Sequence, residues 1–186
     1  MINRGLHRLR RNLRPLWPWL RWGTAVVLLA VLLLDLAFPP PLPKQRDTST
    51  LVVARDGSPL RAFADAEGVW RYPASVDQVS PLYLQALLGY EDRWFWRHPG
   101  VNPVALVRAS TQMLRQGRIV SGGSTLTMQV ARILDPHTRT PWGKAKQMLR
   151  ALQLEAHLSK REILTLYLER APFGGTIEGV DAASWA

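Results

Sequence analysis

The sequence predicts a mainly α globular domain carried behind one hydrophobic helix, with a small β-hairpin between the two. Three observations predict it. The first 21 residues hold six arginines and no acid, and residues 22–38 then form an apolar run whose only charge is Asp35. From Ser80 onward, N-cap residues, N1 prolines and a terminal glycine recur at helical spacing. Between these regions lie two short apolar runs around an Asp-Gly turn.

The chain has 186 residues, a formal net charge of +10 and no cysteine. That length suits one domain of ordinary size. The missing thiols exclude disulfides, a thiol nucleophile and a thiolate metal site. Residues 1–21 read as a basic cytoplasmic tail. Residues 22–38 are about as long as the shortest spanning helices, roughly 17 residues. Trp17, Trp19 and Trp22 fall where an interfacial aromatic belt would lie, and the arginine excess orients the N-terminus to the cytoplasm. A cleaved signal peptide fits less well, because Pro39-Pro40-Pro41 stand where cleavage would fall and no good A-x-A site follows. Nucleic-acid binding by the tail is disfavoured by its adjacency to the span. Residues 39–186 carry 18 Lys and Arg against 13 Asp and Glu, a net +5 that suits an anionic lipid near a membrane surface.

Residues 39–50 (PPPLPKQRDTST) read as a stiff polar linker. Residues 51–74 form a small β segment: Leu51–Ala54 and Leu60–Phe63 flank Asp56-Gly57, with a third strand at Val69–Tyr72. Residues 75–186 form the helical domain. Ser80-Pro81 starts a helix to about Tyr90, and Asn102-Pro103 starts another ending near Gly117. Ser124 caps a helix through about Leu134, and Thr140-Pro141 opens a long one to about His157. Ser159–Glu162 is a capping box. The last residues, Asp181 to Ala186, read as a helix with no stop signal, so the domain is expected to be incomplete and C-terminally truncated.

Two stretches carry chemistry. Glu91-Asp92-Arg93-Trp94-Phe95-Trp96-Arg97-His98-Pro99-Gly100 places a carboxylate at the end of a helix. Gly122-Gly123-Ser124-Thr125-Leu126-Thr127-Met128-Gln129 leads into a helix N-terminus suited to an anion. In order, these resemble EDxxFxxHxG and GxSTxxQQ, the first two motifs of the peptidoglycan glycosyltransferases (glycosyltransferase family 51) of class A penicillin-binding proteins. Met128 stands where the first glutamine of the second motif falls. Residues 143–155 resemble RKxxExxxAxxLE, with Gly143 at the first basic position, Lys144 at the lysine and Gln147 at the first glutamate. That amide resembles the 1C type of the class. Ser159–Glu169 resembles SKxxILxxYLN with Glu169 in place of the Asn, and the stretch from Arg170 to Ala183 resembles the glycine-rich fifth motif.

The resemblance covers roughly Ser75 to Ala186. It implies a lysozyme-like fold and polymerisation of lipid II into glycan strands, with inversion and release of undecaprenyl pyrophosphate. Glu91 would be the general base that takes the proton of the acceptor sugar's 4-hydroxyl. Asp92, Phe95, His98, Ser124, Thr125, Gln129, Arg132, Arg139, Lys144 and Gln147 would bind substrate. Within that set His98 also has a local structural role and Phe95 forms core or wall. Glu155 is a possible second carboxylate, with a structural ion pair as the competing reading. The sequence requires no cofactor. The family's glutamate would support Mg²⁺ or Mn²⁺, whereas the neutral amide of Gln147 holds a divalent cation poorly. The implied partners are lipid II, the nascent strand, the membrane and other cell-wall synthesis proteins, with no nucleic acid. The implied place is the bacterial inner membrane, with the catalytic domain periplasmic. A lysozyme-like glycan hydrolase and a non-catalytic glycan- or partner-binding module are the rival readings.

Overall fold

The computed structural model describes residues 49–117 and 123–185, together with 22, 23, 25, 26, 29, 32, 33, 35–40, 42 and 43. The basic tail, the middle of the linker and residues 118–122, Gly122 among them, lie outside the described residues. The chain forms two compact units, Met1–Pro40 and Pro41–Ala186. In the first, the described positions between 22 and 37 are helical, and Trp22, Val26, Leu29, Leu32, Leu33 and Leu36 are exposed. Among the described residues, no helix is long and apolar enough to cross a membrane. The expected span is only partly among them.

The second unit opens with the antiparallel pair β1 (Thr50–Val53) and β2 (Pro59–Phe63), joined through the Asp56-Gly57 turn. The third strand, β3 (Trp70–Arg71), does not extend this hairpin. It runs parallel to β5 (Ile177–Glu178), which pairs antiparallel with β4 (Pro172–Gly174). The buried Arg71 guanidinium explains the long-range pairing. It donates to Glu178 at 2.9 and 2.7 Å, so the strand is fixed by an ion pair from the end of the chain.

The helices are α1 (Pro81–Glu91), α2 (Pro103–Gln116), α3 (Leu126–Leu134), α4 (Pro141–His157), α5 (Lys160–Arg170) and α6 (Val180–Trp185), with a 3₁₀ turn at Phe95–Arg97. Their ends follow from local chemistry. Thr140 Oγ1 accepts from the Gly143 N–H, and Pro141 sits at N1, where its missing N–H costs nothing. The Ser159–Glu162 capping box closes in both directions. α3 is capped by Thr125 rather than Ser124, because the Thr125 hydroxyl reaches the Met128 N–H at 3.1 Å. Ser124 is thereby released for other contacts.

α3 is the centre of the domain. It buries Leu126, Thr127, Met128, Val130 and Ala131, and it packs against both α4 and α5. Ala151 and Leu154 of α4, Ile163, Leu164 and Leu168 of α5, and Phe95 complete the core. Gly100 lets the first motif close onto it. Its φ is +84°, and a Cβ there would stand 2.6 Å from the Ala151 carbonyl oxygen, so only glycine fits.

Candidate active site

α1 ends at Glu91 and delivers its carboxylate to a cleft of about 290 Å³. The Gln129 amide on α3 donates to Glu91 Oε2 at 2.6 Å. Among the described residues no protein donor reaches Oε1, so that oxygen is free to accept a substrate proton. Asn102, Arg108, Trp94 and Ser124 share the walls. Behind the carboxylate, the Tyr167 phenol is pushed up to about 12 by burial first, then by the charge of Glu91 and by Tyr83. It stays a neutral hydroxyl at any working pH. Sequence reasoning treated Tyr167 as scaffold and passed over Arg108.

A second cleft, about 560 Å³, lies on the other side of Ser124. Arg132 from α3, Arg139 from the connecting loop and Lys144 from α4 line it, with Gln147 and His137. Lys144 Nζ donates to Ser124 Oγ and, at 3.2 Å, to Gln147 Oε1. Burial, and then the neighbouring Arg132, lower the Lys144 ammonium below the ordinary lysine range. Three cationic side chains around one cavity make a site for a multiply charged anion.

Four residues expected at the substrate are tied into the scaffold, and two of them, Asp92 and Thr125, also line the Glu91 cleft. Asp92 is 6% exposed and accepts from His98 Nε2 at 2.9 Å and from the Leu126 N–H at 2.9 Å. One carboxylate thus ties the end of α1 to the start of α3. His98 is buried in that bond, Phe95 is wholly buried, and buried Thr125 donates to the Gly100 carbonyl while capping α3. Residue type alone did not reveal which way these side chains turn. Glu155, the possible second carboxylate, is held by Thr127 Oγ1 at 2.6 Å and Lys160 Nζ at 2.7 Å. Lys160 also donates to the His98 carbonyl at 2.6 Å and lies over the Phe95 ring. Glu155 is therefore part of a structural knot.

Gln147 is buried, and its Nε2 donates to the Met128 carbonyl at 2.6 Å. Its one acceptor oxygen faces an ammonium. Such a donor set does not fit a divalent cation, which needs anionic oxygens and an absence of competing charge. Among the described residues, no group of three His, Cys, Asp or Glu side chains is placed to hold a metal.

Residues 56–186 match the family model described as Transglycosylase, starting in the β1–β2 turn and running to the end of the chain. Penicillin-binding protein 1C of Escherichia coli (strain K12) is 59% identical over 173 residues, covering 93% of this chain and 22% of the relative. Penicillin-binding protein 1A of Aquifex aeolicus (strain VF5) is 41% identical over 115 residues, 61% of this chain and 16% of the relative. A biosynthetic peptidoglycan transglycosylase of Nitrosospira multiformis is 36% identical over 109 residues, 58% of this chain and 47% of the relative. The chain therefore spans less than half the length of each of these relatives. A carboxylate-bearing cleft and a cation-lined cleft meeting at one serine sit inside the matched region, and the chain belongs to the transglycosylase family, whose model covers residues 56–186.

Proposed function

We propose that this protein polymerises lipid II into glycan strands, with Glu91 as general base and the cation-lined cleft receiving the lipid pyrophosphate. The observation that carries the reading is the meeting of the two clefts at Ser124. The acceptor's 4-hydroxyl gives its proton to Glu91 Oε1 as its oxygen attacks the anomeric carbon of the growing chain. The bond from that carbon to the pyrophosphate oxygen breaks, its electron pair leaves with the phosphate, and the anomeric centre inverts. Gln129 holds the base, while Lys144, Arg132 and Arg139 balance the charge gathering on the leaving group. Ser124 and Gln147 fix Lys144 between them. No step runs through a divalent metal, since the Gln147 donor set does not suit one.

A lysozyme-like hydrolase would need two carboxylates flanking the scissile bond. Glu155 and Asp92 are both spent on protein donors, which favours transfer over hydrolysis. The reading also places the protein at the bacterial inner membrane, anchored through residues 22–38, with the domain periplasmic. The arginine-rich tail and the exposed apolar helical positions support this. So do half-exposed Trp94 and Trp96, with the Arg97 guanidinium 4.8 Å above the Trp94 ring, a pairing suited to an anionic lipid interface. Other cell-wall synthesis proteins are the expected partners.

The test is Glu91→Gln in the intact protein, supplied with lipid-linked precursor. The amide keeps the shape and cannot take a proton, so polymerisation should fall by about 10²-fold or more. The melting temperature should stay unchanged. A wild-type rate would remove Glu91 from the role.

A further inference from the structure

The cation-lined cleft contains one polar ring with no part in the reaction as described. His137 lies in the connection between α3 and α4, half-buried, on the wall of that cleft. Its Nδ1 is 2.8 Å from the Asp135 carbonyl oxygen. A carbonyl can only accept, so Nδ1 carries the hydrogen. Among the described residues nothing else hydrogen-bonds the ring, which leaves Nε2 for a ligand.

The ring is held in place from a second direction. A Cβ on Gly143, in the first turn of α4, would overlap the Thr138 carbonyl oxygen and come within 3.0 Å of His137 Cδ2, the carbon bonded to Nε2. The imidazole therefore occupies space that any side chain at 143 would begin to fill. Position 143 is also where the third motif places a basic residue.

We propose that His137 is a pyrophosphate-binding residue, donating an Nε2 hydrogen bond to a phosphate oxygen in place of the basic side chain absent at Gly143. The proposal rests on the reading of this cleft as the leaving-group site. Charge decides the protonation state that can act. With Nδ1–H given to Asp135, a neutral ring presents a lone pair at Nε2, which repels phosphate oxygen. Only the imidazolium donates there. The groups facing it are Arg132 from α3, Lys144 from α4 and Arg139 and Thr138 from the loop. The Asp135 carboxylate is neutralised by Lys146 at 2.9 Å and Arg150 at 3.0 Å.

The test is titration of inorganic pyrophosphate into the intact protein in detergent, by calorimetry. His137→Ala should weaken binding by about tenfold, the scale of a charge-assisted hydrogen bond. Nitrogen-15 spectra of the wild type give an independent readout, with the Nε2 resonance of His137 moving on pyrophosphate addition and Nδ1 moving little. Equal binding by wild type and His137→Ala, or a stationary Nε2 resonance, would each overturn the proposal. Lipid II polymerisation by the wild type is measured alongside. Polymerisation with an indifferent His137 defeats this inference alone, whereas a His137-dependent anion site without polymerisation defeats the functional reading.

Discussion

The two clefts that meet at Ser124 are built in opposite ways. The Glu91 cleft holds a carboxylate fastened by one amide at the end of α1, a helix with no buried residue. The Lys144 cleft is walled by α2, α3, α4 and the loop before α4, and its lysine is fastened at two points. The difference matches what the proposed reaction asks of each side. A base needs an oxygen left open to a proton, so few contacts suit it. A leaving-group site must hold like charges together before any anion arrives, and only a rigid frame does that.

The widest gap between a working carboxylate and a framing one should appear at Glu155. Glu155→Ala leaves Lys160 enclosed without its partner and should cost about 3–5 kcal/mol of stability, read by denaturant unfolding. Glu91→Gln should change stability hardly at all. Similar unfolding midpoints for the two variants would erase the distinction drawn here between the two glutamates.

Lys144→Ala should lower kcat/KM by about tenfold or more, the loss expected for a charged hydrogen-bonding group. Its pH behaviour sharpens the comparison. Because burial and Arg132 depress the Lys144 ammonium, the proton leaves at a lower pH than from an ordinary lysine. Any stability penalty from enclosing that charge is present below the folded value and is relieved as pH climbs toward the unfolded one. Activity runs the other way, falling on the alkaline side as the cleft loses a charge. Lys144→Arg should push that alkaline fall to higher pH. An unmoved alkaline limb would show that some other group sets it.

The smallest expected effect is at Gln147. Gln147→Glu replaces the amide that donates to the Met128 carbonyl, costing about 1–3 kcal/mol of stability. It also brings a negative charge to the cleft, so added Mg²⁺ or Mn²⁺ should act more strongly on its rate than on wild type. Superimposable metal titrations would refute the second part.

Much of this was legible in the sequence because it rests on local chemistry. The prolines and caps at Pro81, Pro103, Thr140 and Ser159 act within one turn, and the helices begin at or next to them. Motif order brought Glu91, Gln129 and Lys144 forward before any distance was known. Orientation was not legible. Asp92 and Glu91 are adjacent carboxylates, and the His98 ring together with the Leu126 N–H, 34 residues on, turns one of them inward. The pairing of Trp70–Arg71 with Ile177–Glu178 escaped for the same reason, because a two-residue strand carries no period to read. His137 belonged to no motif and emerged only as part of the cleft wall.

The partition at Ser124 bears on when the site is assembled. The Glu91 carboxylate and the cation cluster share Ser124 as a common wall residue, beside the Thr125 cap and the Leu126 N–H that Asp92 holds. No domain has to swing for the two halves to approach each other. On the proposed reading, alignment is settled during folding, and the binding energy of each incoming sugar is left for drawing the substrate itself along the groove.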